Sequence, residues 1–354
     1  MEESVRWDAM QTFHPELDDY INKFKAFQRC VMVCAFGLNI YFFIRLAKAK
    51  QIHQNFRIVL CTASTGFLLL GPTRELEHYL LDVTSDIQNR AMVNVLCITL
   101  SILHMLSFSS SMMCMNLIAV EQYFAKRWVD HYENLKKFGW ILLVIVAINS
   151  IPFGVFSCVY FLYYDNFSLL SSYQGCIPTD LHSKFGVIGY GFCALSCSIS
   201  AAVVYILKVQ NQSLTKNRLQ LKTLKARYQQ TVNTDLNTSI TPSMLGFMII
   251  SIAGLCLGIY EIKIAYMYGE NTTEKMFVSD LGYALIDYYG IYHILCFLWC
   301  NKTMKTIVKA DIRRFCCMSN KTNVPGENYI QANCLDAQTE TVIYFEQLQN
   351  SWSK

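Results

Sequence analysis

Charge is scarce in this sequence. Only 16% of its 354 residues are Asp, Glu, Lys or Arg, against about 25% in a soluble globular domain. With 53% of residues apolar, a water-soluble fold would have little surface left to offer solvent. Proline is also sparse, at 6 residues, and no Gly- or Ser-rich linker or internal repeat divides the chain. Catalytic signatures are missing as well: there is no Walker-type glycine loop, no His-Glu-x-x-His zinc pair and no nucleophile elbow. An enzyme is therefore not expected, and nothing in the sequence asks for a metal or cofactor.

What the sequence has in abundance is continuous hydrophobicity. Apolar stretches run from Phe27 to Leu46, Ile58 to Leu81, Ala91 to Val120, Phe138 to Tyr163, Phe185 to Leu207, Met244 to Tyr268 and Leu281 to Cys300. Each has the roughly 20 residues a helix needs to cross about 30 Å of hydrocarbon. All are too long and too continuous for barrel strands of about ten alternating residues, and in lipid the backbone must satisfy its own hydrogen bonds. The expected fold is an all-α membrane protein, a seven-transmembrane helix bundle over residues 27–300. It is flanked by an N-terminal tail (1–26), a short amphipathic membrane-surface helix (301–318) and a flexible polar tail (319–354).

The gaps between the runs give an orientation. Three alternate loops, Arg45–Arg57, Glu121–Lys137 and Lys208–Ser243, together with Asn301–Lys321, hold 20 basic residues, whereas the segments on the opposite side hold 7. Lysine and arginine accumulate on the cytoplasmic side, so the expectation is an outer N-terminus and a cytosolic C-terminus. The net charge of +4 then reflects contact with an anionic leaflet rather than with nucleic acid. The first 26 residues are acidic and contain no apolar run, so no cleavable signal peptide is expected and the first helix should serve as the insertion signal.

Most of the fifteen cysteines lie inside apolar segments, where a thiol behaves as a small hydrophobe. Two differ. Cys97 lies near the outer end of the third helix and Cys176 in the second outer loop, where oxidation to a disulfide would pin the loop over the bundle. From Cys97 to Glu121 is 24 residues, or about 36 Å of helix, so one helix carries a cysteine at its outer end and a carboxylate at its inner end.

This arrangement resembles a G-protein-coupled receptor. Helix three ends in Glu121-Gln122-Tyr123-Phe124-Ala125 and continues to His131-Tyr132-Glu133. Both blocks are similar to the Glu-Arg-x-x-Ala and Tyr-Glu blocks of the nematode serpentine chemoreceptors of the Sra superfamily, class E or a near relative. Leu224-Lys225-Ala226-Arg227-Tyr228-Gln229, followed by Asn233, extends the likeness into the third inner loop. The resemblance implies a chemosensory receptor in the plasma membrane of sensory neuron cilia that binds a small odorant or secreted metabolite and activates a heterotrimeric G protein. Glu121, Gln122, Tyr123, Lys225 and Arg227 would lie at the coupling face. Two departures stand out. Gln122 replaces the family's arginine, so the resting receptor is held by other contacts or its coupling is altered. Helix seven reads His293-Ile294-Leu295-Cys296-Phe297 where an Asn-Pro-x-x-Tyr block would be.

Charges within the spans mark candidate sites, because a buried charge costs several kcal/mol unless it is paired or wet. Asp287 and Tyr283 in helix seven, with Tyr288 beside them, Glu261 in helix six and His104 in helix three could line an outward-opening cavity for a small ligand. On this reading Asp287→Asn disturbs the ligand response and leaves surface expression normal. Arg74 is expected at a solvated end of helix two, since Gly71-Pro72 interrupts the apolar run. After helix seven, basic and apolar residues alternate with helical spacing, and Cys316 and Cys317 follow as sites for palmitate. Asn166 and Asn271 are the two outward-facing glycosylation sequons, both expected close to the membrane. The alternative is a seven-helix transporter or ligand-gated channel, but transporters repeat their helix breaks in matching halves, and Pro152 and Gly71-Pro72 do not match.

Overall fold

The computed structural model describes residues 16–49, 52–83, 90–129, 131, 132, 135, 137–160, 183–216, 223–269 and 272–319. Among these, eight helices account for nearly every residue: α1 (Glu16–Lys48), α2 (Gln54–Val83), α3 (Arg90–Arg127), α4 (Phe138–Val159), α5 (Ser183–Lys216), α6 (Leu224–Tyr268), α7 (Thr273–Cys300) and α8 (Lys302–Ser319). The first seven are each long and apolar enough to cross a membrane. They belong to one unit, residues 1–307; a second unit begins at Val308, within α8.

In the first unit sequence neighbours pack together except α4 and α5, and α1 closes against α7. α3 also touches α5 and α6, and α2 touches α4, so α3 is the central strut. Polarity is inverted relative to a soluble protein. Large apolar side chains such as Ile188, 69% exposed, and Trp299, 73% exposed, point outward, while Asn39, Ser64, Asn237 and His293 are buried. Lipid tails are as apolar as leucine, so helices gain by close approach and interhelical hydrogen bonds rather than by hiding hydrophobes. Gly66 illustrates this: a Cβ there would lie 2.8 Å from the Ser107 carbonyl oxygen and against the Ser111 hydroxyl, so only glycine lets α2 and α3 come this close.

Several helices outrun their apolar segments. α1 starts at Glu16 rather than near Phe27, and its polar first turns are tied down by pairs such as Lys25–Asp280 at 3.5 Å and Arg29–Glu75 at 3.0 Å. α6 starts twenty residues before Met244. Its polar opening is capped by Thr223, whose hydroxyl accepts from the Ala226 amide, and it is satisfied by neighbouring helices: the Gln230 amide donates to the Asn211 carbonyl and the Asn233 amide to the Ala125 carbonyl. Nor does Gly71-Pro72 end α2, which continues to Val83. Proline removes one amide donor, the one that would reach the Leu68 carbonyl, and the helix carries on past it, with the Thr73 hydroxyl bonding the Leu69 and Leu70 carbonyls at 2.9 Å. α8 opens on Asn301, whose side-chain oxygen accepts from the Met304 amide at 3.0 Å, the geometry of a helix N-cap.

Candidate functional site

A cavity of about 310 Å³ opens among α3, α4, α5, α6 and α7. Its walls are mostly apolar and aromatic: Phe108 from α3, Phe153 and Phe156 from α4, Phe185 and Tyr190 from α5, and Tyr283 from α7. Phe156 meets Phe185 edge-on at 5.1 Å, and Phe108 meets Tyr190 at 6.5 Å. Glycines 186, 189, 254, 258 and 282 lie along the same walls and leave the volume open. Few polar groups face it, chiefly His104, Glu261 and Ser279 besides the tyrosine hydroxyls. Such a lining, apolar with a small number of placed polar groups, is that of a small-molecule site.

Three of the five side chains expected at a ligand pocket are brought together here: His104, Glu261 and Tyr283. Glu261 is 7% exposed, buried in the bundle rather than reaching toward solvent, whereas Lys263 two residues on is exposed. His104 Nδ1 lies 3.1 Å from the Thr73 hydroxyl. The same hydroxyl lies 2.9 Å from the Leu69 and Leu70 carbonyls, so Thr73 links the imidazole to the backbone of α2.

Asp287 and Tyr288 do not line the cavity. Tyr288 is 38% exposed on α7. Asp287 is 8% exposed and accepts from the Arg74 guanidinium at 3.0 Å across the α2–α7 boundary. Arg74, expected at a solvated helix end, is instead 3% exposed. Because α2 continues through Pro72, Arg74 is carried into the bundle, where the carboxylate, the Gln28 side-chain oxygen at 3.0 Å and the Tyr283 ring at 5.2 Å surround it. The mid-helix carboxylate is thus compensated by an ion pair rather than by water. The signal available in the sequence was the pair of opposite charges within two different apolar runs, but nothing in the spacing matched one to the other.

The opposite end of the bundle, where α1 joins α2 and α3 joins α4, gathers the expected coupling residues. Glu121 is 1% exposed; its carboxylate accepts from the Tyr132 hydroxyl and, at 2.6 Å, from the Gln122 amide. Tyr132 follows α3 and folds back under the bundle, its ring 4.2 Å from that of His53. Burial, and then the carboxylate beside it, push the Tyr132 phenol far above its usual range, so it stays protonated and donates. The Asn55 side chain donates to the Leu135 carbonyl at 2.8 Å and accepts from the Gly139 amide at 2.9 Å, tying the same segment to α2 and α4. Tyr123 is half exposed and Arg227 half buried. The Lys225 side chain, Cys176, Asn166 and Asn271 lie outside the described residues, as do the side chains of Cys316 and Cys317, whose backbone is part of α8. Cys97 is buried and is not among the free thiols of the described residues.

Residues 20–353 match the family described as serpentine type 7TM GPCR receptor class ab chemoreceptor. The chain belongs to this family. It is therefore a seven-helix, multi-pass membrane protein of a receptor class rather than an enzyme. The kinship with nematode serpentine receptors expected from the Glu121 and Tyr132 blocks holds, with class ab matching where class E or a near relative was expected. No curated protein matches the chain. Gln122 stands where the family's arginine was expected, and its side-chain amide bonds Glu121. Glu121 is hydrogen-bonded by two uncharged donors, Tyr132 and Gln122, and the Asn233 amide on the Ala125 carbonyl, at 3.0 Å, joins α3 to α6. Asn233 was legible only as part of a family block; its contact depends on α6 starting far earlier than its apolar run.

Proposed function

We propose that this serpentine class ab receptor binds a small molecule from the extracellular side in the cavity among α3 to α7 and activates a heterotrimeric G protein through the end that carries Glu121, Tyr123, Lys225 and Arg227. The cavity carries the reading. It is enclosed by five helices, apolar in its walls, and provided with His104, Glu261 and Tyr283 as orienting groups. The distribution of 20 basic residues against 7 supports a cytosolic face at the Glu121 end and an outer N-terminus, which would open the cavity toward the exterior. A Cys97–Cys176 disulfide would hold the second outer loop over it, and acylation of Cys316 or Cys317 would anchor α8 at the inner leaflet. Ligand binding must favour one helix arrangement over another, since equal affinity for both moves nothing.

The test is expression in a heterologous cell with a G-protein activation readout against a panel of small odorants and secreted metabolites. An epitope tag at Met1, stained without permeabilisation, should be accessible. Gly189 lines the cavity and a Cβ there meets nothing within 4 Å, so Gly189→Leu should abolish the response by filling the site while surface expression is retained. A response that survives Gly189→Leu unchanged would remove the cavity from the ligand site.

A further inference from the structure

We infer that a groove between the inner ends of α3 and α5 binds an anionic phospholipid of the cytoplasmic leaflet. The groove encloses about 410 Å³ and shares no residue with the cavity of the proposed ligand site. Tyr123, Lys126 and Arg127, from the last two turns of α3, form one wall, and Ile206, Leu207 and Gln210 of α5 form the other. Among the described residues lining it there are two cations and no carboxylate. Lys126 donates to the Gln210 side-chain oxygen, which holds the ammonium against α5 without neutralising it. Arg127 is exposed, and among the described residues neither cation has an ion-pair partner. Other cations at this end are engaged: Lys302 pairs with Asp235 at 3.2 Å, and Lys305 lies over the Trp299 ring at 4.6 Å. A guanidinium and an ammonium on one wall present several N–H donors together, which suits the oxygens of a phosphate.

The surface beside the groove is built for an anion that carries an acyl chain. Ile206 is exposed, and Ile199, Leu195 and Phe192 follow it along the same face of α5, all exposed as well. From Ile206 to Leu195 is about 16 Å of helix, the depth of one leaflet in a hydrocarbon core of about 30 Å. A headgroup held by Lys126 and Arg127 therefore lays its chain along a continuous apolar track. Trp128 sets the depth of the headgroup. It is exposed beside Arg127 and stacked on Phe124 at 4.5 Å, and tryptophan collects at the membrane–water interface. A free phosphate would leave the apolar track unused, and an acidic peptide segment would need polar donors where Ile206 and Leu207 stand. With the Glu121 end cytosolic, as proposed above, the groove faces the leaflet that carries the anionic lipids. The choice of leaflet rests on that orientation; the chemistry of the groove does not.

Native mass spectrometry of the purified full-length receptor tests this, with dioleoyl phosphatidylserine and dioleoyl phosphatidylcholine titrated in turn. Each cation beside an anionic headgroup is worth about fivefold, so the first phosphatidylserine should bind about thirtyfold tighter than the first phosphatidylcholine. Lys126→Gln combined with Arg127→Gln should erase that preference. Lys126→Arg combined with Arg127→Lys keeps both charges and should retain it, which separates loss of the site from loss of the fold. Lys305→Gln removes a cation of the same end outside the groove and should change nothing. Glycerophosphoserine, the headgroup without its chains, should fail to displace phosphatidylserine at equal concentration; displacement would reassign the groove to a free phosphate. Equal binding of the two lipids would overturn the proposal. So would a preference that survives the double glutamine variant, as it would if a G-protein segment occupied the groove instead. An equal loss in Lys305→Gln would mark diffuse attraction and overturn it too. A Met1 tag found inside the cell would refute the cytoplasmic leaflet alone, because the lipid preference is read without a membrane.

Discussion

The Arg74–Asp287 pair makes a demand that the linear sequence hides. Asp287→Asn leaves a guanidinium 3% exposed inside a helix bundle without its nearer counter-charge, Glu75 remaining at 4.0 Å. Breaking a buried pair by removing one partner costs about 3–5 kcal/mol. Here the lower end applies, because the Gln28 oxygen and the Tyr283 ring still touch Arg74. A loss of about 3 kcal/mol corresponds to roughly a hundredfold in the folded population. The variant should therefore lose surface expression and thermal stability, the reverse of the expectation drawn from Asp287 as a ligand contact. Arg74→Gln should behave alike, since it strands the carboxylate. The double variant removes both charges, and its loss should be smaller than the sum of the two single losses by about 2 kcal/mol or more. Thermal melting of the four purified receptors closes the cycle. Losses that add to within about 0.5 kcal/mol, the behaviour of independent sites, would mean that the two groups do not compensate each other and would refute the reasoning.

Other outcomes follow from single contacts. Gly66→Ala places a methyl group 2.8 Å from the Ser107 carbonyl and should cost about 1–3 kcal/mol as overpacking forces α2 and α3 apart; an unchanged melting temperature would contradict the close approach. Tyr132→Phe removes one of two donors to a buried carboxylate and should lower stability by about 1–3 kcal/mol, read by thermal melting, with wild-type stability as the adverse result. Asn233→Ala deletes the side-chain link between α6 and the Ala125 carbonyl, so ligand-independent G-protein activation should rise; equal basal signalling at equal surface expression would exclude that contact as a restraint. Cys97→Ala and Cys176→Ala should fail alike and no worse together, measured by surface expression, and additive defects would argue against a shared bridge.

The membrane spans were legible in the sequence because the energetic requirement is one-dimensional: about 20 apolar residues suffice whatever surrounds them. Their ends were not. Leu224–Ser243 reads as a polar loop, yet its Gln230 and Asn233 find partners on α5 and α3, and a helix that is satisfied by its neighbours needs no apolar run. Gly71-Pro72 reads as a break because the lost amide is visible in the sequence, while the packing around α2 that carries the helix through is not.

The site divides along the same line. Burial of a charge in a span is readable from the residue and its surroundings in the chain, and His104 and Glu261 were singled out in that way, Tyr283 for sharing the helix face of Asp287. Which charges meet is a matter of helix rotation and depth, and only the packed bundle decides it. Asp287 faces Arg74 from α2, and Tyr288, one residue further, turns away because successive helical residues point about 100° apart. The sequence by itself determined seven crossings and an interior that must hold its few charges. The tertiary structure decided that Arg74 and Asp287 neutralise each other while Glu261 faces the cavity, because pairing depends on distances between helices that no local pattern encodes.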